Sequence, residues 1–304
     1  MASGMVLVIV ARHIDLSVGS ILGVVGMVMG VVQSEFLPKF LGYEHGLTWV
    51  LALAVGLAAG AAIGLLQGAI VAYLGVPAFI VTLGGLLVWR GCAWWITSGR
   101  TVAPMDESFR RMGGGIEGSI GAPWTWAVAA LAFAAIAWRG WAARRRRAQV
   151  GFALRPLWAE FTVAGLAGAA VLAVVLVANS YDLPPRVAER IAEARGLAVP
   201  PGGLSIAHGL AVPVLIAVAI GILVTFLATR TRFGRYVFAL GGNPEATELS
   251  GVDTRRVTVL VFVLMGMLCA VSAAISTARL NAATNSQGTL DELYVIAAAL
   301  TAHS

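Results

Sequence analysis

The sequence predicts an all-α fold, a polytopic bundle of transmembrane helices. Three observations lead to it. Hydrophobic residues make up 59% of the 304 residues, and charged residues make up only 12%. A soluble chain carries roughly 25% charged residues, so this one lacks the polar side chains to cover its surface in water. Finally, the apolar residues are gathered in runs that approach the length of about 20 residues that a helix needs to cross a bilayer.

The apolar runs define about seven full spans and a partial span near each end. The full runs are 14–33, 47–74, 76–97, 124–138, 157–181, 209–229 and 257–280. The two partial runs, 1–11 and 293–300, are too short to cross a bilayer. We therefore interpret residues 1–304 as a single transmembrane domain, incomplete at both ends.

Basic residues predict the orientation of these spans. Six arginines fall in 138–156 and five in 230–256, and alternation of the spans puts both segments on one face. Because cytoplasmic loops are enriched in Lys and Arg, this face is predicted to be cytoplasmic. The net charge of +6 is thus a topology signal, and nucleic acid is not an expected partner. The run from Arg144 to Arg147 is typical of a contact with anionic lipid.

No metal site, cofactor or catalytic group is expected. The two cysteines lie far apart in apolar runs, without CxxC spacing. The four histidines are scattered, and none belongs to an HExxH or Ser/His/Asp grouping. The sequence therefore does not indicate an enzyme.

Glycines recur at every fourth position of the second span, at Gly56, Gly60, Gly64 and Gly68. A ridge of this kind lets two helix backbones approach closely where no hydrophobic effect drives helices together. Static close packing is the favoured interpretation, and a helix that slides against its neighbour is the alternative.

An acidic residue lies at the mouth of the first full span, in the segment from His13 to Ser20. In one interpretation Asp15 or Ser17 caps the following helix, since Asp and Ser are preferred N-cap residues. In the other, the helix is broken and Asp15 faces a polar cavity, the setting in which irregular backbone is tolerated at membrane depth. The sequence leaves both open.

Polar or aromatic side chains at the ends of other runs are candidates to contact a solute. Phe79 offers a ring for stacking and Thr82 a hydroxyl, although an aromatic packed in the core and a Thr bonded to its own helix are the simpler interpretation. The predicted residues of a solute path are Asp15, Ser17, Phe79, Thr82 and Asn281.

The segment 230–256 contains a predicted short helix. Asn243 suits the N-cap, Pro244 position N1 and Glu245 the first turn. Two glycines break the chain before it, and Gly251 ends it. A short helix held beside the membrane suits the docking of a soluble partner, and a helix lying at the lipid headgroups is the alternative.

Three segments, in this order, resemble the permeases of bacterial ABC importers for monosaccharides: Gly4 to Ser20, Val76 to Gly85, and Phe233 to Gly251. The basic segment 138–156 and the helix after it most resemble the xylose-type branch of the ribose, xylose and galactose permeases. The resemblance implies a homodimeric permease in the bacterial inner membrane. It also implies a cytoplasmic ATPase subunit and a periplasmic sugar-binding protein as partners.

In that family the segment 230–256 resembles the cytoplasmic coupling loop that contacts the ATPase. The resemblance therefore implies coupling residues at Gly241, Gly242, Asn243, Pro244, Glu245 and Glu248. ATP would be hydrolysed on another chain, because no GxxxxGK[ST] loop is present. An ion-coupled secondary transporter is the alternative, but only Arg90 and Asp15 are ionisable residues near the required depth. Family members also have further spans at both ends, so the chain is expected to be truncated.

Overall fold

A computed structural model describes residues 1–43, 45–116, 118–194 and 206–301. This part of the chain is helical, and its only β-pairing is three isolated bridges, which confirms the all-α prediction. Seven helices are long and apolar enough to cross a membrane, as predicted. The chain forms two compact units, Met1–Gly114 with Ile216–Ser304, and Gly115–Leu215.

Fourteen α-helices occur in the described residues. They are α1 (Ala2–Val10), α2 (Val18–Val31), α3 (Pro38–Leu41), α4 (Thr48–Leu74), α5 (Ala78–Thr97), α6 (Glu107–Arg110), α7 (Gly121–Val150), α8 (Leu157–Asn179), α9 (Pro185–Ala194), α10 (Val212–Arg230), α11 (Arg232–Gly242), α12 (Pro244–Leu249), α13 (Thr254–Leu280) and α14 (Asp291–Thr301). A π-helical turn, Val32–Phe36, extends α2, and a 3-10 turn, Arg111–Gly113, follows α6.

The core of the first unit is the contact between α4 and α13. A Cβ atom placed on Gly60 would overlap the carbonyl oxygen of Gly266, and one on Gly64 would overlap that of Phe262. Residue numbers rise along α4 as they fall along α13, so the two helices run antiparallel with their backbones in contact. The close packing predicted from the glycine ridge is confirmed.

A second glycine face lies on α2 and packs against 281–290, the irregular segment that joins α13 to α14. Gly19 faces the carbonyl oxygen of Gly288, and Gly30, about three helical turns further on, faces the side chain of Ala283. The irregular segment therefore runs back alongside a spanning helix. Only glycine on α2 leaves room for a second backbone at this distance.

The second unit is built on a hairpin of α7 and α8, which pack along each other. The ring of Phe133 on α7 occupies the space beside Gly168 on α8. The hydroxyl of Thr125 accepts a hydrogen bond from the backbone nitrogen of Leu210 at 2.9 Å and donates one to the carbonyl of Gly121 at 2.8 Å. This hydroxyl ties the segment before α10 to the first turn of α7.

Three predicted boundaries are wrong, each for a physical reason. The fourth span does not stop at residue 138, because the following Ala and Arg residues favour helix; α7 continues to Val150 and is capped by Gly151, with φ 75°. The first span begins at Val18, since the residues before it are irregular. The segment 230–256 is not a loop around one short helix, because α11 fills much of it.

Replacing Gly60 with Ala is expected to lower the free energy of unfolding by about 1–3 kcal/mol, since the added methyl group meets a backbone carbonyl that cannot move alone. Elsewhere inside a helix the same change stabilises by up to about 1 kcal/mol. Gly221→Ala in α10 is the matched control, because a Cβ there would meet no atom within 4 Å. Thermal unfolding in detergent measures both, and equal melting temperatures would contradict the α4–α13 contact.

Candidate functional site

The chain is broken between α1 and α2, and the polar side chains of Asp15 and Ser17 in the break are buried. Residues 11–17 form no helix, and Arg12 has a φ of 63°. Asp15 is 1% exposed and Ser17 is fully buried. Ser17 occupies the N-cap position of α2, but no side-chain capping bond is made there. The backbone is therefore interrupted before α2, as the second interpretation of the sequence requires, and a polar cavity in front of Asp15 stays a prediction.

Side-chain hydrogen bonds within the break and from two helices, α4 and α5, hold it in place. The backbone nitrogen and hydroxyl of Ser17 donate to Oδ1 of Asp15 at 2.8 and 2.6 Å. Gln67 of α4 donates from Nε2 to the Ser17 hydroxyl at 3.0 Å. Thr82 of α5 donates to the carbonyl oxygen of Ile14 at 3.2 Å. These bonds stabilise backbone and carboxyl groups that have no water to bind at this depth.

Asp15 is the unusual group of this network. Among the described residues no basic side chain forms an ion pair with it; the four ion pairs found all involve other acids. A carboxyl group inside a membrane domain is costly to bury and marks a functional site by default. The Asp15 network is therefore the first part of the candidate site.

A second polar group lies where the irregular segment 281–290 faces α5. Arg90 donates from Nη1 to the carbonyl oxygens of Asn285, at 3.0 Å, and Gln287, at 2.8 Å. The Gln287 amide donates in turn to the hydroxyl of Thr277 at 3.1 Å. Arg90 thus supplies the donors that carbonyl groups outside a helix need in lipid.

The five residues predicted for a solute path are only partly brought together. Asp15, Ser17 and Thr82 form one network, whereas Phe79 lies 51% exposed on α5, one turn from Thr82. The structure does not bring Asn281 to them. Asn281 is the C-cap of α13. Val259, near the other end of α13, contacts Gly68, the residue after Gln67. Asn281 therefore lies roughly 30 Å along the helix from the level of Gln67.

Asn281 belongs to the opposite end of the first unit. Its Oδ1 accepts a hydrogen bond from the backbone nitrogen of Met105 at 2.9 Å. Met105 also lines a pocket of about 570 Å³, which contains the ion pair of Arg100 with Glu35. This end offers a polar mouth, and the Asp15 network lies nearer the other end.

The predicted short helix is confirmed as α12. Asn243 is its N-cap, accepting from the backbone nitrogen of Ala246 at 3.1 Å, and Pro244 is at the start. Leu249 is 90% exposed, and Glu245 and Glu248 are exposed too. An exposed leucine beside two acidic residues makes a small surface that a basic and apolar partner could bind.

Gly241 and Gly242 are not a break before α12 but the last two residues of α11. They also differ from each other. A Cβ on Gly241 would overlap the carbonyl oxygen of Val10 at the end of α1, while one on Gly242 would meet no atom within 4 Å. Only the first of the two glycines is required by packing.

Arg12, which the sequence pattern did not single out as a site residue, connects the break to the end of α11, directly before α12. Its guanidinium donates from Nε to the carbonyl of Gly241 at 2.7 Å and from Nη2 to that of Gly242 at 2.8 Å. A cation bonded to the last carbonyls of α11 is stabilised by the helix dipole. Arg12 lies three residues before Asp15, so the end of α11 is joined to the start of the polar break.

Comparison with known proteins identifies the family. The family described as the permease component of branched-chain amino acid transport systems matches residues 1–303. The chain belongs to this permease family. Together with its seven apolar helices, membership makes it a multi-pass transport permease of the cell inner membrane.

Curated relatives match the permease along most of its length. The xylose transport system permease protein XylH of Haemophilus influenzae is 32% identical, over 98% of this chain and 69% of its own length. XylH of Escherichia coli K12 is 34% identical, over 98% of this chain and 66% of its own. The ribose import permease RbsC of the same strain is 29% identical, over 98% and 63%. The permease thus spans about two thirds of the length of these relatives. No solved structure matches it.

Replacing Arg12 with Gln is expected to loosen the end of α11 and the start of α12. Two charge-assisted hydrogen bonds are lost, each worth about 1.5–3 kcal/mol, so amide hydrogens of 241–249 should exchange at least about tenfold faster. Arg12 and Arg255 both line a pocket of about 310 Å³. The control is therefore Arg255→Gln, which removes one positive charge from that pocket and leaves Arg12 in place. Hydrogen–deuterium exchange mass spectrometry in detergent compares the two variants. Equal exchange rates of 241–249 in both would contradict a stabilising role for the hydrogen bonds of Arg12.

Proposed function

We propose that this permease is the membrane subunit of an ATP-driven ABC importer for a monosaccharide, of the xylose type. The observation that supports this most is the similarity to two xylose permeases and a ribose permease over 98% of the chain. The family match alone does not indicate a sugar, since the description of the family refers to branched-chain amino acid transport.

The buried polar groups are suited to a neutral, hydroxyl-rich solute. Sugar hydroxyls both donate and accept, and the first unit presents carboxyl, amide and hydroxyl groups in the break before α2, on α4 and on α5. The polar mouth near Asn281 would admit the sugar, and the Asp15 network would contact it later. Phe79, exposed one turn from Thr82, would stack on the sugar ring in the assembled permease.

The partners in this proposal are a cytoplasmic ATPase subunit, a periplasmic sugar-binding protein and a second copy of the permease. The ATPase would bind α12 through Glu245, Glu248 and Leu249. A contact this small is weak alone and gains strength from two copies in a homodimer.

Movement of α12 would reach the solute path through Arg12. The ATPase would pull or push on α12, α11 would move with it, and the two hydrogen bonds from Arg12 would carry the motion to residues 11–17. The break is able to respond because its backbone is not fixed by helical hydrogen bonds.

Uptake measurements test the function. Cells that lack the gene for this chain should lose uptake of at least one labelled aldose among xylose, ribose and allose, and a plasmid copy should restore it. Unlabelled sugar should compete with the label. Unchanged uptake of all three sugars, with uptake of leucine lost instead, would contradict a sugar importer and favour an amino-acid substrate.

Glu245→Arg is expected to uncouple the ATPase from transport while the permease still inserts and folds. A reversed charge against a complementary partner surface costs enough to weaken binding at least about tenfold. The measurements are co-purification of the ATPase and sugar-stimulated ATP hydrolysis. Glu189→Arg, an equal charge change at an exposed residue of α9, is the control. Normal coupling in the Glu245 variant would show that α12 is only a surface helix.

A further inference from the structure

A pocket of about 370 Å³ opens between α7 and α8, close to the 151–156 turn that joins them. Its floor is apolar, formed by Ile136, Val163 and several alanines. Its rim is basic and carries Arg139, Arg144, Arg147 and Arg155 with a single acid, Glu160. The pocket therefore combines a hydrophobic slot with a cationic entrance.

The rim has more positive charge than it can neutralise. Arg144 pairs with Glu160, with Nη1 2.9 Å from Oε2. Arg139, Arg147 and Arg155 make no ion pair within the described residues. Three unpaired cations around one apolar slot repel each other and attract an anion.

Helical spacing selects these arginines from the basic run. Arg144 and Arg147, three residues apart, share a face of α7 and line the pocket. Arg139, about two turns before Arg147, lines it as well. Arg145 instead places its guanidinium 5.2 Å from the ring centre of Trp141. Arg146 is exposed and is not part of the pocket lining. The run is thus divided into a pocket face and an outer face.

The pocket lies at the level of the lipid headgroups. The 30 residues of α7 extend about 45 Å, further than the roughly 30 Å hydrocarbon core. Trp138 and Trp141, with ring centres 5.1 Å apart, and Trp158 on α8 are exposed just where the arginines begin. Tryptophans of this kind mark the interface between hydrocarbon and water.

We propose that this pocket binds one anionic phospholipid of the cytoplasmic leaflet. Arg139, Arg147 and Arg155 bind its phosphate, and an acyl chain lies on the apolar floor between α7 and α8. A free phosphate is also an anion but has no apolar group to occupy that floor. The basic segment 138–156 thus has a use beyond setting topology, since a bound lipid closes the gap between the two helices.

Native mass spectrometry of the full chain, titrated in detergent with phosphatidylglycerol, tests the proposal. Phosphatidylcholine with the same acyl chains is the neutral reference. The double variant Arg139→Gln, Arg147→Gln should bind phosphatidylglycerol about tenfold more weakly. The double variant Arg145→Gln, Arg146→Gln removes the same charge from the outer face, and its affinity should stay within about twofold of the unchanged chain. Equal losses in the two would overturn the proposal, because general attraction would then explain the binding.

Two further arms separate a lipid from a free anion. Ala164→Phe fills part of the floor and keeps every charge, so it should also weaken phosphatidylglycerol binding. Inorganic phosphate, added alone at the same concentrations, should neither bind to the chain nor displace the lipid. Displacement by phosphate, or normal lipid binding by Ala164→Phe, would overturn the assignment to a phospholipid.

Discussion

The backbone contact between α4 and α13 is the constraint on which the first unit depends. In lipid no hydrophobic effect draws helices together, so this contact rests on packing that only glycine permits. It also sets the position of Gln67, which lies one residue before Gly68 of the same ridge. Gln67 holds Ser17, and Ser17 holds Asp15. The height of the polar break in the bundle is thus set by the register of the glycine-lined helix α4 against α13.

A second constraint is the hydrogen bonding of backbone outside helices. Two irregular segments, 11–17 and 281–290, lie among spanning helices, and their polar groups need partners where water is scarce. Thr82 and Arg90, both on α5, each donate to one of these segments. The same polar groups that make the irregular backbone tolerable would supply a sugar with donors and acceptors. The stability of this region and its proposed function therefore rest on one set of side chains.

Much of the fold could be predicted because it follows from local chemistry. Asn243-Pro244-Glu245 starts a helix by capping alone, and hydropathy finds all seven spans. The end of α7 was missed because hydropathy falls at Trp138, while helix propensity continues. Arg12 and Arg90 could not be predicted as site residues, since their partners are backbone carbonyls 229 and 197 residues away along the chain. A carbonyl has no sequence signature, so only the folded chain reveals such a contact.

In the proposed mechanism the polar break is closed at rest, with Ser17 fully buried, and it opens when the ATPase moves α12. Thiol labelling tests it most directly, in a chain whose two native cysteines, Cys92 and Cys269, are replaced and Ser17 is changed to Cys. A small water-soluble reagent should label residue 17 slowly in the isolated permease and at least about tenfold faster while the assembled complex hydrolyses ATP, with the change lost on Arg12→Gln. The contrary result is a Cys at residue 17 that is labelled at one rate in the isolated permease and in the working complex, although the ATPase protects a Cys placed at Leu249. It would contradict opening of the break through α12.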